Sequence, residues 1–289
     1  MKQVTVLSGK GGTGKTSLAA SFTALSKQTI VTDCDVDAPD LHLLLQPTIL
    51  ETQRFHGSQV ATINPHRCTQ CGKCEEACRF EAVSKFQVDP IFCEGCGVCA
   101  YICPVKAITL RERISGYAYI SKTKYGMMSH ALLSPGEENS GKLVTLVRQN
   151  AQKIAELTGS QLIVNDGPPG IGCPVIAAVG GIDAGLIIVE PTLSSIHDME
   201  RALALLNHFQ IPALLCINKY DINPTNTQHI IDFCDANNVH LVGKISYNTL
   251  ITQAMIAGMS VVEYSPTSAL VNEIATVWKQ VLNQLNISV

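Results

Sequence analysis

Short apolar, β-branched runs alternate along this chain with stretches whose apolar residues recur every three or four positions. The candidate strands are VTVLS from Val4, TIVTD from Thr29, QLIVND from Gln161, AGLIIVE from Ala184, PALLCIN from Pro212 and HLVGKI from His240. The candidate helices cover residues 15–27, 142–157, 194–209, 224–237 and 268–285. Strand and helix in strict alternation predict an α/β fold: a mostly parallel sheet with helices on both faces. Between about residues 56 and 112 the alternation stops, and a cysteine-dense stretch with its own internal repeat takes its place. The expected organisation is a discontinuous α/β domain, residues 1–55 and 113–289, with a small α+β module inserted over 56–112. Residues 116–126 (GYAYISKTKYG) alternate like a hairpin, and SPGEENSG from Ser134 reads as a loop leading back into a helix.

Composition narrows the function classes. A chain of 289 residues has room for one α/β domain and a small module. Net charge is −3 and the basic residues are scattered, so no stripe exists to neutralise a nucleic-acid backbone, and nucleic acid is not expected as a partner. The opening segment MKQVTVLSGK reads as a strand entering a loop rather than as a leader, and no apolar run approaches the roughly 20 residues that cross a bilayer. The expectation is a cytoplasmic protein with no membrane partner. Twelve cysteines, eight of them between Cys68 and Cys103, then argue for metal ligation rather than disulfides.

Chemistry concentrates first in GKGGTGKT, from Gly9, which matches G-x-x-x-x-G-K-[ST] after an apolar strand and before a helix. Gly9, Gly11, Gly12 and Gly14 let backbone N–H groups turn inward around phosphate oxygens, at a helix start whose dipole favours anions. The expected nucleotide-binding segment runs through Thr13, Lys15, Thr16 and Ser17, with Lys15 on the β- and γ-phosphates and Thr16 on Mg²⁺. The additional lysine, Lys10, makes the motif resemble the deviant Walker A family of MinD, ParA, Mrp and the nitrogenase iron protein. That resemblance implies ATP as ligand and an ATP-bound homodimer in which Lys10 reaches the nucleotide of the second copy, in the manner of an arginine finger.

The same resemblance extends to the carboxylates. DCDVDAP, from Asp33, is similar to the switch I segment of Mrp-type proteins, which implies that Asp35 orients the attacking water. Asp33, Asp37 and Asp40 read as solvated or turn-forming, and Asp37 departs from the family pattern. Asp166 ends the apolar run LIVND before GPPG and resembles the Walker B and switch II segment, implying a hold on Mg²⁺ through water. INKYD, from Ile217, resembles a base-recognition segment in which the Asn218 amide pairs with adenine, and Pro266 would flank the base.

Cys68, Cys71, Cys74 and Cys78 form one C-x₂-C-x₂-C-x₃-C run; Cys93, Cys96, Cys99 and Cys103 form a second, followed by Pro104. This resembles the bacterial two-cluster ferredoxin, in which each run's fourth cysteine serves the other cluster. It implies one [4Fe–4S] cluster on Cys68, Cys71, Cys74 and Cys103, and another on Cys93, Cys96, Cys99 and Cys78. Structural zinc on the C-x₂-C pairs is the alternative. Arg79 stands where the pattern has proline and is expected to change loop stiffness rather than ligation. Cys216 and Cys234 read as small buried hydrophobes. Cys34 and Cys173 adjoin the switch segments; Cys173 is a candidate for a cluster bridging two subunits, with inert packing the favoured alternative.

The leading functional expectation is an ATPase that gates electron transfer through two [4Fe–4S] clusters to a redox partner. A cluster carrier serving apo-proteins, as in Mrp, is the second, although the C-terminal C-x-x-C of Mrp is missing. A MinD-like membrane-associated regulator is the third. Its helix would be the stripe Leu270, Ile274, Val277, Trp278, Val281, Leu282 and Leu285, where Lys279 is the only basic residue, so packing on the sheet is the better reading. Amidating enzymes of the cobyrinate type share the fold but need a glutaminase domain, for which this sequence leaves no room.

Overall fold

The computed structural model describes residues 1–26, 28–137 and 140–287. In chain order the elements begin β1 (Lys2–Leu7), α1 (Lys15–Leu25), β2 (Ile30–Asp33), α2 (Leu41–Leu45), β3 (Thr48–Phe55) and β4 (Ser58–Ile63). They continue with α3 (Lys73–Glu76), β5 (Val83–Ser84), β6 (Gln87–Val88), α4 (Val98–Ile102), β7 (Ile108–Arg113), β8 (Gly116–Lys122) and β9 (Met127–Leu133). The remainder is α5 (Ser140–Thr158), β10 (Leu162–Asp166), α6 (Cys173–Val179), β11 (Ala184–Val189), α7 (Leu193–His208), β12 (Ala213–Asn218) and α8 (Pro224–Ala236), then β13 (His240–Ile245), α9 (Leu250–Ile256), α10 (Val261–Tyr264) and α11 (Ala269–Gln284). Two compact units divide the chain: Met1–Thr52, Ala118–Leu132 and Ser140–Val289 form one, Gln53–Tyr117 and Leu133–Asn139 the other.

Among the described residues a nine-stranded sheet has the order β13-β12-β11-β1-β10-β2-β9-β8-β3. From β13 to β9 every neighbouring pair is parallel, with Val4 opposite Val164 and Ala184 at the centre. Period-2 alternation sends side chains to two helical layers. Val4, Val6, Val164, Leu186, Ile188 and Cys216 pack with α1 and α11 on one face. Leu7, Ile187, Val189, Leu215 and Ile217 pack with α6, α7 and α8 on the other. The α/β architecture expected from the pattern is the one found. The α11 stripe is fully committed to this core, and Trp278 stacks on Phe22 at 4.6 Å. No helix among the described residues is long and apolar enough to cross a membrane.

The five predicted helices correspond to α1, α5, α7, α8 and α11, whose ends lie within two residues of expectation. Lys27, the end of the first predicted helix, lies outside the described residues, as do Glu138 and Asn139 of the predicted loop from Ser134. The predicted hairpin at 116–126 turns out to be one strand and its turn: Thr123 N–H donates to the Gly126 carbonyl at 2.8 Å and the return strand is β9. Met128, Ser129, His130 and Ala131 of β9 are all buried in succession, so this strand carries neither alternation nor β-branching to reveal it.

In the second unit β4 and β7 pair antiparallel from Ser58 opposite Arg113 to Ile63 opposite Ile108, beside the short antiparallel pair β5–β6. The sequence repeat is a backbone repeat. Gln70 and Gly95, Gly72 and Gly97, and Glu81 and Lys106 are spaced alike, and they share left-handed φ of 57° and 63°, 78° and 79°, and 54° and 48°. Three of these six are not glycine, so the loops hold conformations that L-residues resist. Arg79 falls within the first copy, at the position that Pro104 holds in the second.

Candidate functional site

The carboxyl ends of the parallel strands form one rim in the first unit, where open α/β sheets bind ligands. β1 leads into the glycine loop, and α1 starts at Gly14, whose φ of 93° is closed to L-residues. A Cβ there would also stand 2.6 Å from Asn218 Nδ2. Lys15 opens α1 and is buried. Thr13 Oγ1 is buried with no partner.

Asp166 ends β10 behind this loop. Burial lifts its carboxyl from the ordinary 3.8 to about 6, although Lys15 and a hydrogen bond from the Thr16 side chain pull the other way. Its Oδ1 is buried without a hydrogen-bond partner. An orphaned carboxylate oxygen beside a hydroxyl is a hard-oxygen donor set that suits Mg²⁺ shared with phosphates. The segment after it runs against β1, Gly167 N–H donating to the Val6 carbonyl at 2.9 Å and Gly170 N–H to that of Ser8 at 3.3 Å.

Asp33 ends β2 and is not solvated: its two oxygens accept the N–H groups of Asp35 and Leu41, both at 3.1 Å. Burial, and then the nearby Asp166 carboxyl, raise its pKa well above the ordinary range. It thereby shapes the loop carrying Asp35, which is half-buried, accepts the Ala38 N–H at 3.3 Å and is raised by burial against the pull of that N–H and of Lys15. Asp37 is exposed.

Asn218, at the end of β12, is buried and gives an Nδ2 hydrogen to the Thr13 carbonyl at 2.8 Å, while its Oδ1 accepts the Lys219 N–H at 3.0 Å. The amide thus braces the glycine loop, and one N–H remains for another acceptor. A cleft of about 300 Å³ opens beside it, between Gly12, Gly14 and Lys15–Ser17 and a wall including Asp40, Ser246, Tyr247, Asn248, Ile251 and Met255. Pro266 is exposed and does not line this cleft.

In the second unit the eight cysteines of the two runs border two spaces. One is lined by Cys68, Cys71, Cys74 and Cys103; the other by Cys78, Cys93, Cys96 and Cys99. Backbone N–H groups point at three of the sulfurs: Gln70 to Cys68 at 3.4 Å, Ala107 to Cys103 at 3.3 Å and Ala61 to Cys93 at 3.5 Å. All eight thiols are free of disulfides, and no three His, Cys, Asp or Glu side chains among the described residues converge as ligands of a single ion. Elsewhere Cys34, Cys216 and Cys234 are buried, with burial raising the thiols to about 12, 12 and 11, whereas Cys173 is exposed.

Residues 4–261 match the CobQ/CobB/MinD/ParA nucleotide binding domain family. The chain belongs to this family. It is a nucleotide-binding ATPase of the CobQ/CobB/MinD/ParA type. It is 38% identical over 227 residues to the uncharacterized protein MJ0578 of Methanocaldococcus jannaschii, covering 78% of this chain and 80% of that one. Among solved structures it resembles the septum site-determining protein MinD of Pyrococcus horikoshii complexed with Mg-ADP, with a TM-score of 0.59 and 17% identity over 100% of this chain and 99% of the other. The Aquifex aeolicus MinC:MinD cell division complex gives a TM-score of 0.58 at 18% identity, over 100% and 97% of the chains.

Two parts of this ATPase site escaped the sequence reading. One is the cleft wall from Ser246 to Met255, assembled from segments without a motif. The other is a cationic pair around Glu190, which follows β11: its carboxylate meets Lys10 Nζ at 2.7 Å and Lys219 Nζ at 3.0 Å. An acid ending the apolar run AGLIIVE is the same signal that singled out Asp166, and could have found it.

Proposed function

We propose that this MinD/ParA-type ATPase carries two [4Fe–4S] clusters and couples ATP-driven changes in its switch segments, and in a homodimer, to electron transfer toward a redox partner protein. The observation that carries the reading is the composition of the two cysteine-lined spaces: each takes three cysteines from one run and the fourth from the other. That exchange is how two-cluster ferredoxins are ligated. The repeated left-handed loops and the N–H groups aimed at sulfur support it, since both are ways of presenting and tuning thiolates around a cluster. A cubane also accounts for thiols that surround a space without converging on a point, because each thiolate binds a different iron, whereas zinc draws all four to one centre. When bound, each cluster supplies a one-electron centre.

In the ATPase unit each residue has a task that needs no strong base. The N–H groups of Gly9–Thr16 and the Lys15 ammonium cradle and neutralise the phosphates. Thr16 and Asp166 would hold Mg²⁺, which would neutralise charge on the phosphates. Asp35, held in place by its loop, orients the attacking water. Lys10 of a second copy adds charge at the transferring phosphoryl group, which makes dimerisation a condition of fast hydrolysis. The base occupies the cleft beside Asn218 and Tyr247. A reducing cytoplasm suits the free thiols.

The test is purification without oxygen, followed by counting iron and sulfide per chain after incubation with an apo-acceptor, with and without Mg-ATP. Both clusters retained in every condition supports fixed redox centres. Transfer of iron and sulfide to the acceptor, at a rate that ATP changes, would instead identify a cluster carrier.

A further inference from the structure

Lys10 does not point freely into solvent. Its ammonium meets Glu190 Oε1 at 2.7 Å and donates to Thr192 Oγ1 at 3.2 Å and Ser194 Oγ at 3.1 Å. Thr192 is the N-cap of α7 and Ser194 lies in its first turn, so the cation rests at the positive end of a helix dipole. That placement is unfavourable on its own, and Glu190 is the carboxylate that offsets it. The other oxygen of Glu190 is engaged independently: Oε2 pairs with Lys219 Nζ at 3.0 Å, and Lys219 also donates to the Gly12 carbonyl at 3.2 Å. Burial alone would raise the Glu190 carboxyl, but the two lysines bring it below the ordinary range.

We infer that Glu190 is a positioning residue for Lys10: it holds the lysine on its own subunit, off the path to a second copy, and lets go when the ATP-bound dimer forms. This rests on the reading above that Lys10 acts across a dimer. The pairing is suited to release. When Lys10 leaves, Glu190 keeps Lys219, so no half-buried carboxylate is stranded without a cation. Lys219, tied to the glycine loop through Gly12, keeps the carboxylate at the phosphate site throughout. The side chains of Lys10 and Glu190 are 30% and 13% exposed, so the lysine end of the pair is the one open to solvent and free to exchange its partner.

The experiment is sedimentation velocity of the anaerobically purified full chain over a range of protein concentrations, with Mg²⁺ and a non-hydrolysable ATP analogue. It compares the wild type with Glu190→Gln, Lys10→Ala and the double variant. Loss of the latch lowers the concentration at half-dimerisation of Glu190→Gln by roughly two- to fivefold. Lys10→Ala weakens the dimer, and adding Glu190→Gln to it changes nothing more, since the latch has no lysine to hold. Affinity of the monomer for a fluorescent ATP analogue, read separately, stays within about twofold for Ser194→Ala, which touches Lys10 but not the glycine loop. Ser194→Ala, a milder removal of one contact, shifts dimerisation in the same direction and serves if Glu190→Gln does not fold. The inference is overturned if Lys10→Ala weakens the dimer while neither Glu190→Gln nor Ser194→Ala strengthens it. If Lys10→Ala dimerises like the wild type, the trans role of Lys10 falls and the latch with it.

Discussion

Replacing Asp166 by asparagine separates what this carboxylate costs the fold from what it gives the site. Its pKa in the folded chain is about 6 against an ordinary 3.8, with burial as the main cause. A raised folded pKa means that the native state holds the proton more tightly than the unfolded chain. Stability from this group is therefore full below about pH 4 and lost as pH rises through about 6. Above pH 7 the metal-free protein carries a buried, half-paired carboxylate at a cost of up to about 3 kcal/mol. Asparagine has the same shape and no charge, so Asp166→Asn stabilises the nucleotide-free protein at pH 8 by about 1–3 kcal/mol, a rise in melting midpoint of roughly 3–9 °C. At pH 5 the advantage shrinks to roughly half, because the native aspartate is then largely protonated. Differential scanning fluorimetry in EDTA at pH 5 and pH 8 reads both numbers. Adding Mg-ADP reverses the order: the wild type gains stability by mass action and the variant, lacking the metal carboxylate, gains far less. A variant no more stable than wild type at pH 8, or an advantage that does not shrink toward pH 5, refutes the account of Asp166 as a strained, metal-awaiting acid.

Asp35→Asn keeps nucleotide affinity within a few-fold in titration calorimetry but slows phosphate release by about 10²-fold or more, because water positioning rather than binding is lost. Gly14→Ala forces an L-residue into φ of 93° and sets its Cβ 2.6 Å from Asn218 Nδ2, breaking the brace to Thr13; urea unfolding should show a loss of about 1–3 kcal/mol together with weakened nucleotide binding. Cys71→Ser and Cys96→Ser each lower iron from about eight to about four atoms per chain, and the double variant removes nearly all of it. Equal, complete loss of iron in each single variant would argue against two separately ligated clusters.

What could be read from the sequence followed from how local each signal is. TIVTD, LIVND and LLCIN were visible as strands because both faces of a central parallel strand are apolar, and they sit at β2, β10 and β12. The strand β9 was not visible, because Met128–Ala131 are buried in succession and none is β-branched, and burial by tertiary partners leaves no period to detect. The glycine loop was legible because its chemistry needs adjacent residues. The cleft wall at Tyr247, Asn248, Ile251 and Met255 was not, because a base is enclosed by whatever the fold brings beside the loop. Asn218 shows both sides of this: its position at the end of β12 was foreseen, while its bond to the Thr13 carbonyl is set by the approach of the glycine loop to that strand end.

The rim nevertheless obeys one rule that reaches further than motifs do. In a doubly covered parallel sheet a strand turns polar where it leaves the core, and the carboxyl ends of the strands face the ligand. Ser8 after β1, Asp33 and Asp166 at the ends of β2 and β10, Glu190 after β11, Asn218 at the end of β12 and Ser246 after β13 stand at that edge. Three of them carry carboxylates, and each has a different neighbour: backbone N–H groups for Asp33, the Thr16 hydroxyl and an unpartnered oxygen for Asp166, and two lysines for Glu190. Those neighbours sort the three acids by what a nucleotide changes. Asp33 is already saturated and shapes its loop in every state. Asp166 keeps one oxygen without a partner even with Lys15 nearby, which leaves it a place for a cation. Glu190 has one cation more than charge balance requires, and that surplus is what frees Lys10 to leave.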